Sequence, residues 1–133
     1  MIHRFFSIVI IGLTFISSAQ AQDNEIIEQV RDALKSGSSK ELVKLFNETL
    51  DMNVQGKMKS YGKSQAEVVL RDFFKKNPPK GFNIIHKGAS KSGLPYAIGE
   101  YKSNDDTYRV FVRVKKSGKD FFISEITFYK DKF

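Results

Sequence analysis

The sequence predicts an α+β domain in which three N-terminal helices pack on a curved antiparallel sheet. Apart from a brief alternation at Leu50, Met52 and Val54, apolar residues recur at helical period as far as Asn77. After Lys80-Gly81 the period changes to two and stays there. Helices first and strands afterwards, on one short chain, indicate segregated layers rather than a βαβ wind.

A segment of another kind precedes the first helix. His3 and Arg4 are basic, Phe5 to Ile16 is largely apolar, and Ser17-Ser18-Ala19-Gln20-Ala21 offers small residues ending in A-x-A. This is the three-part layout of a secretory signal peptide. Its apolar run is shorter than the roughly 20 residues that span a bilayer. Residues 1–21 are therefore expected to be removed, leaving residues 22–133 as one periplasmic or secreted domain with no transmembrane segment. The sequence holds no cysteine, so the product is expected to rely on packing without disulfides and to carry no lipid on a cysteine. With no Cys cluster, no paired His and no H-E-x-x-H, neither a metal nor a cofactor is expected.

Asp23 or Asn24 is expected to cap the first helix, whose Ile26, Ile27, Val30, Ala33 and Leu34 form one stripe, and Gly37 to end it. Ser38 and Glu41 read as a capping box for a second, short helix carrying Leu42, Leu45 and Phe46. Leu50, Met52 and Val54 alternate with polar residues as a brief strand that Gly56 ends. Gly62 starts the third helix, with Ala66, Val69, Leu70, Phe73 and Phe74 on one face. Asn77-Pro78-Pro79 stops it. Four strands follow near 82–90, 94–103, 107–116 and 120–129. Their joints at Ser92-Gly93, Asn104-Asp105 and Ser117-Gly118 are tight enough to make antiparallel neighbours. A bent meander over a helix layer predicts a cavity between the two.

Charge is uneven along the chain. From Gln22 to Gln55 seven acids face four bases, and from Gly56 to Phe133 seventeen bases face eight acids. The lysines are scattered, Lys57, Lys59 and Lys63 included, and read as a solvated surface. Without a recognition motif, no nucleic-acid partner is expected.

Tyr61-Gly62-Lys63-Ser64-Gln65-Ala66, Phe73-Phe74, His86-Lys87-Gly88 and Tyr96-Ala97-Ile98-Gly99, in this order of elements, carry a family resemblance. From Glu25 to Phe128 the chain resembles an uncharacterised exported family of Bacteroidota, a domain of unknown function. That family is of the nuclear transport factor 2-like (cystatin-like) superfamily. The resemblance implies a cone-shaped fold and an exported product. It implies no activity, because the superfamily holds dehydratases, isomerases and non-enzymatic binding modules alike.

Three roles fit such a cone. The first is binding of a small apolar or amphipathic ligand, with Phe73, Phe82, Ile84, His86, Tyr96 and Tyr108 as the expected lining. Strand parity puts His86 on the same side as Phe82 and Ile84, toward the helices. The second is a lyase or isomerase with His86 as general base, Glu100 or Glu125 as its partner and Tyr96, Tyr101 or Tyr108 facing an oxyanion. The third is a protein-interaction module, including a homodimer, using an outward Arg109–Phe111–Arg113 ladder opposite Tyr108, Val110, Val112 and Val114. Phe121, Phe122, Phe128 and Tyr129 add rings on both faces of the last strand. The binding or scaffold reading is the one adopted at this level.

Overall fold

The structure is a computed structural model that describes residue 12, residues 18–54 and residues 56–131. The expected signal peptide lies mostly outside these residues. Its last residues begin helix α1 (Ser18–Ser36), so neither Asp23 nor Asn24 stands at the start of that helix. Then follow α2 (Ser39–Val43), β1 (Phe46–Asn53), β2 (Lys59–Gly62), α3 (Lys63–Lys76), β3 (Gly81–Ala89), β4 (Pro95–Lys102), β5 (Thr107–Ser117) and β6 (Asp120–Lys130).

Helix α1 buries Ile26, Ile27, Val30, Ala33 and Leu34, the stripe that its sequence draws. It ends in a Schellman motif. The Ser38 amide donates to the Ala33 carbonyl at 3.0 Å and the Gly37 amide to that of Leu34 at 3.3 Å, with Gly37 at φ +66°. The Ser38 hydroxyl accepts from the Glu41 amide at 3.1 Å and starts α2. Helix α3 begins after Gly62 and buries Ala66, Leu70, Phe73 and Phe74. Pro79 packs onto Gly37, so the ends of α1 and α3 meet.

The strands β3 to β6 form the expected antiparallel meander, within one six-stranded sheet of order β2-β1-β6-β5-β4-β3. Three features differ from expectation. Phe46 opens β1 instead of belonging to α2, and β1 lies parallel to β6. A short apolar run such as Leu42 to Phe46 suits either helix or strand, and pairing with β6 decides it. In addition, β2 occupies the lysine-rich stretch expected to be loop, pairing antiparallel with β1 from Thr49↔Gly62 to Met52↔Lys59.

Irregular register between Ile84 and His86 in β3, between Phe46 and Asp51 in β1, and beside Arg113 in the β5–β6 pair bends the sheet. The helices lie in the resulting hollow. Ala97 and Tyr101 of β4, Tyr108, Val110, Val112 and Val114 of β5, and Ile123, Ile126 and Phe128 of β6 are buried there.

Gly37→Ala is expected to destabilise the fold by roughly 1–2 kcal/mol, because an L side chain resists positive φ. Its added Cβ would also come within 2.9 Å of Pro79. A lower urea midpoint at unchanged slope is the expected reading.

Candidate functional site

The hollow of the sheet is filled with rings. Phe73 of α3 lies with its centroid 4.7 Å from Phe128, 5.1 Å from Tyr108, 5.7 Å from Tyr101 and 5.8 Å from Phe74. Tyr101 and Tyr108 face each other across β4 and β5 in direct register. Buried phenols need acceptors, and Asn77 supplies both. The Tyr101 hydroxyl donates to the Asn77 carbonyl at 2.5 Å, and that of Tyr108 donates to the Asn77 Oδ1 at 2.9 Å. The amide side chain of Asn77 is itself held, its Nδ2 donating to the Phe73 carbonyl at 3.2 Å. Beside it, the Ser103 hydroxyl donates to the Pro78 carbonyl at 3.0 Å and the Lys80 amide to the Lys102 carbonyl at 2.7 Å. The sequence marks Asn77 only as a helix stop. The signal for its second role is the pair of inward tyrosines that require an oxygen nearby.

The lining expected from strand parity is therefore not one pocket. Phe73, Phe82 and Tyr108 are buried in the core and Ile84 is half-buried against it. His86 and Tyr96 are on the opposite, outer face, and this corrects the inward placement of His86. Ile84 pairs with Gly99 but His86 with Ile98, so Ile85 is an extra residue. One bulged residue inverts the parity of everything after it. Lys87, not His86, then takes the helix side, where its Nζ lies 3.6 Å from Glu28 of α1.

On the outer face His86 Nε2 lies 3.1 Å from the Tyr96 hydroxyl. The Tyr96 ring covers Gly88, where any Cβ would collide with it. Tyr96 continues to Phe111 at 5.9 Å, and the Arg113 guanidinium sits 5.5 Å above the Phe111 ring. Arg109 and Arg113 are exposed and Phe111 is half-buried between them, so the ladder does point outward while Val110, Val112 and Val114 are buried. The two carboxylates proposed as partners of His86 are engaged elsewhere. Glu100 is 3.4 Å from Lys102 and Glu125 is 3.8 Å from Arg113. A proton relay through His86 has no carboxylate to orient the ring among the described residues. Thr127 is fully buried between Phe111 and Asn53, and its Oγ1 has no partner among the described residues.

Phe73, Phe82 and Tyr101 line none of five surface depressions. The one that touches the ring cluster holds about 370 Å³ at the rim of the hollow, between Asn53, Val54 and Gly56 on one side and Tyr108, Phe128, Tyr129 and Lys130 on the other. No group of His, Asp and Glu side chains suited to a metal occurs among the described residues. No helix among them is long and apolar enough to cross a membrane.

The family model described as "Domain of unknown function (DUF4783)" matches residues 27–129. The chain belongs to this family. A search among curated proteins finds no match. The crystal structure of a DUF4783 protein from Bacteroides ovatus is similar at 30% identity and a TM-score of 0.73, over 79% of this chain and 94% of that one. One from Bacteroides uniformis is similar at 27% identity and a TM-score of 0.74, over 80% and 97%. An NTF2-like protein of unknown function from Silicibacter pomeroyi, at 12% identity and a TM-score of 0.60 over 86% and 98%, shares the fold alone. The family and the nuclear transport factor 2-like architecture that the residues resemble are thus those of the chain.

The phenols on Asn77 titrate late. Burial first, and the neighbouring Tyr108 second, push the Tyr101 hydroxyl far above the usual phenol range. Burial first, and Asp106 second, raise Tyr108 against an opposing effect of Lys130. Both folded values exceed the unfolded value of about 10. Their stabilisation is complete below that pH and is lost as pH rises through the folded values. The melting temperature should fall above about pH 10. Tyr101→Phe should flatten that fall and cost roughly 1 kcal/mol at neutral pH, by removing a part-buried hydrogen bond to the Asn77 carbonyl.

Proposed function

We propose that the protein is an exported, non-catalytic scaffold that works through the outer face of its sheet, and that its first partner is a second copy of itself. The observation that carries this reading is where the chemistry lies. The inward face is spent on the ring cluster around Phe73, whereas His86, Tyr96, Ile98, Phe111, Arg109 and Arg113 share the outer face. That face has an aromatic and aliphatic centre with a charged rim, the usual anatomy of a protein contact. Its rim holds both signs, Arg109 and Arg113 with Glu100 and Glu125. A two-fold related copy can therefore set arginine against glutamate. The signal-like pattern of residues 1–21 supports export.

A small-ligand role has one observation in its favour, the depression over Tyr108 and Phe128 at the rim of the hollow. A small amphipathic molecule would rest its apolar part on these rings, with Asn53 and Lys130 for its polar end. Filling the hollow itself would require displacing Phe73.

Sedimentation of residues 22–133 separates these readings. The scaffold reading expects a dimer that Arg109→Glu with Arg113→Glu converts to monomer, with the circular dichroism spectrum and melting temperature unchanged. A wild-type monomer at the highest soluble concentration, or a dimer indifferent to both substitutions, contradicts it.

A further inference from the structure

Strand β3 ends the sheet on one side, and among the described residues no strand lies beside its second edge. It is nine residues long, against four for β2 at the other end. A free edge offers a row of amides and carbonyls that another strand can pair with. Helix α1 passes alongside, and the space between them forms a groove of about 360 Å³ lined by Arg31, Lys35, Asn83 and residues 84–87. Arg31 and Lys35 are one helical turn apart and so present their charges to the same side. Lys87 faces them from the strand. Glu28 is the acid in reach, and it serves both Arg31 and Lys87. The bulged Ile85 stands half exposed, at 50%, beside this row of cations.

We propose that the groove between α1 and β3 captures an extended acidic peptide segment, which adds to the edge of β3 as a further strand. Backbone pairing supplies the adhesion and Ile85 the apolar anchor. Arg31, Lys35 and Lys87 select for carboxylates. The same cations disfavour pairing of the edge with its own kind. A second β3 would bring Lys87 and its neighbouring cations against like charges, whereas an acidic strand turns that repulsion into attraction. The bulge limits pairing to the stretch on either side of Ile85, so the bound segment is short. This site is on the sheet edge and shares only His86 with the outer face proposed as the self-contact.

The test uses residues 22–133 and a fluorescent, end-blocked peptide alternating Glu with Val, followed by fluorescence anisotropy. The wild type should bind it at least about tenfold more tightly than the same peptide with Gln for Glu, as expected if two or three ion pairs form. Lys35→Glu with Lys87→Glu should lower affinity by about tenfold or more at unchanged melting temperature. Arg109→Glu with Arg113→Glu should leave it unaltered. Hydrogen exchange supplies an independent reading: amides within residues 82–88 should gain protection on binding. Equal binding of the Gln peptide, indifference to the lysine reversals, or protection elsewhere overturns the proposal. So does a sulfated polysaccharide that binds this groove more tightly than the peptide, which would make the row of cations a polyanion site instead.

Discussion

Two phenols sharing one asparagine hold the helix layer to the sheet. Asn77 sits where α3 can no longer continue, because two prolines follow it, and there its carbonyl and side-chain oxygen accept from Tyr101 and Tyr108. Tyr101 is fully buried and Tyr108 nearly so. Each of these bonds is part-buried, and leaving a buried group unpaired costs about 1–3 kcal/mol. Once the phenols are fixed, Phe73 has one place to go, among Tyr101, Tyr108 and Phe128. The hollow is closed by the same contacts that fasten the helix.

That closure governs where the chemistry can be. A cone whose interior is packed has its remaining polar and aromatic groups on its outside and along its edges. The bulge at Ile85 belongs to the same logic. By adding one residue to β3, it sends His86 outward onto Tyr96 and Lys87 inward toward Glu28. One inserted residue thus furnishes the outer face with an imidazole and the α1–β3 groove with a cation. The scaffold reading and the peptide-groove proposal rest on these two distinct consequences.

Much of this architecture is legible in the residues. Helices α1 and α3 and strands β4 and β5 follow their periodicities closely, and β3 and β6 do so up to their irregularities in register. What stays hidden has local causes. Strand β2 has only Tyr61 as a sizeable apolar residue, so no alternation announces it. The start of β1 at Phe46 depends on its parallel partner β6, some eighty positions away, and no local pattern reports such pairing. The bulge carries no compositional mark either, because Ile84-Ile85 reads as ordinary strand. The candidate site suffers most from that. The alternation that puts Phe82 inward puts His86 inward as well, whereas the bulge between them turns His86 outward. The Arg109–Phe111–Arg113 ladder was legible because β5 is regular through that stretch.

The central claim is that the space between α3 and the sheet is filled, and xenon tests it directly. Apolar voids large enough to accept a small guest bind xenon, whereas packed cores do not. Crystals of residues 22–133 held under xenon should show no atom among Phe73, Tyr101, Tyr108 and Phe128. A well-occupied xenon there would mean an open cavity, and the chemistry would then belong inside the cone.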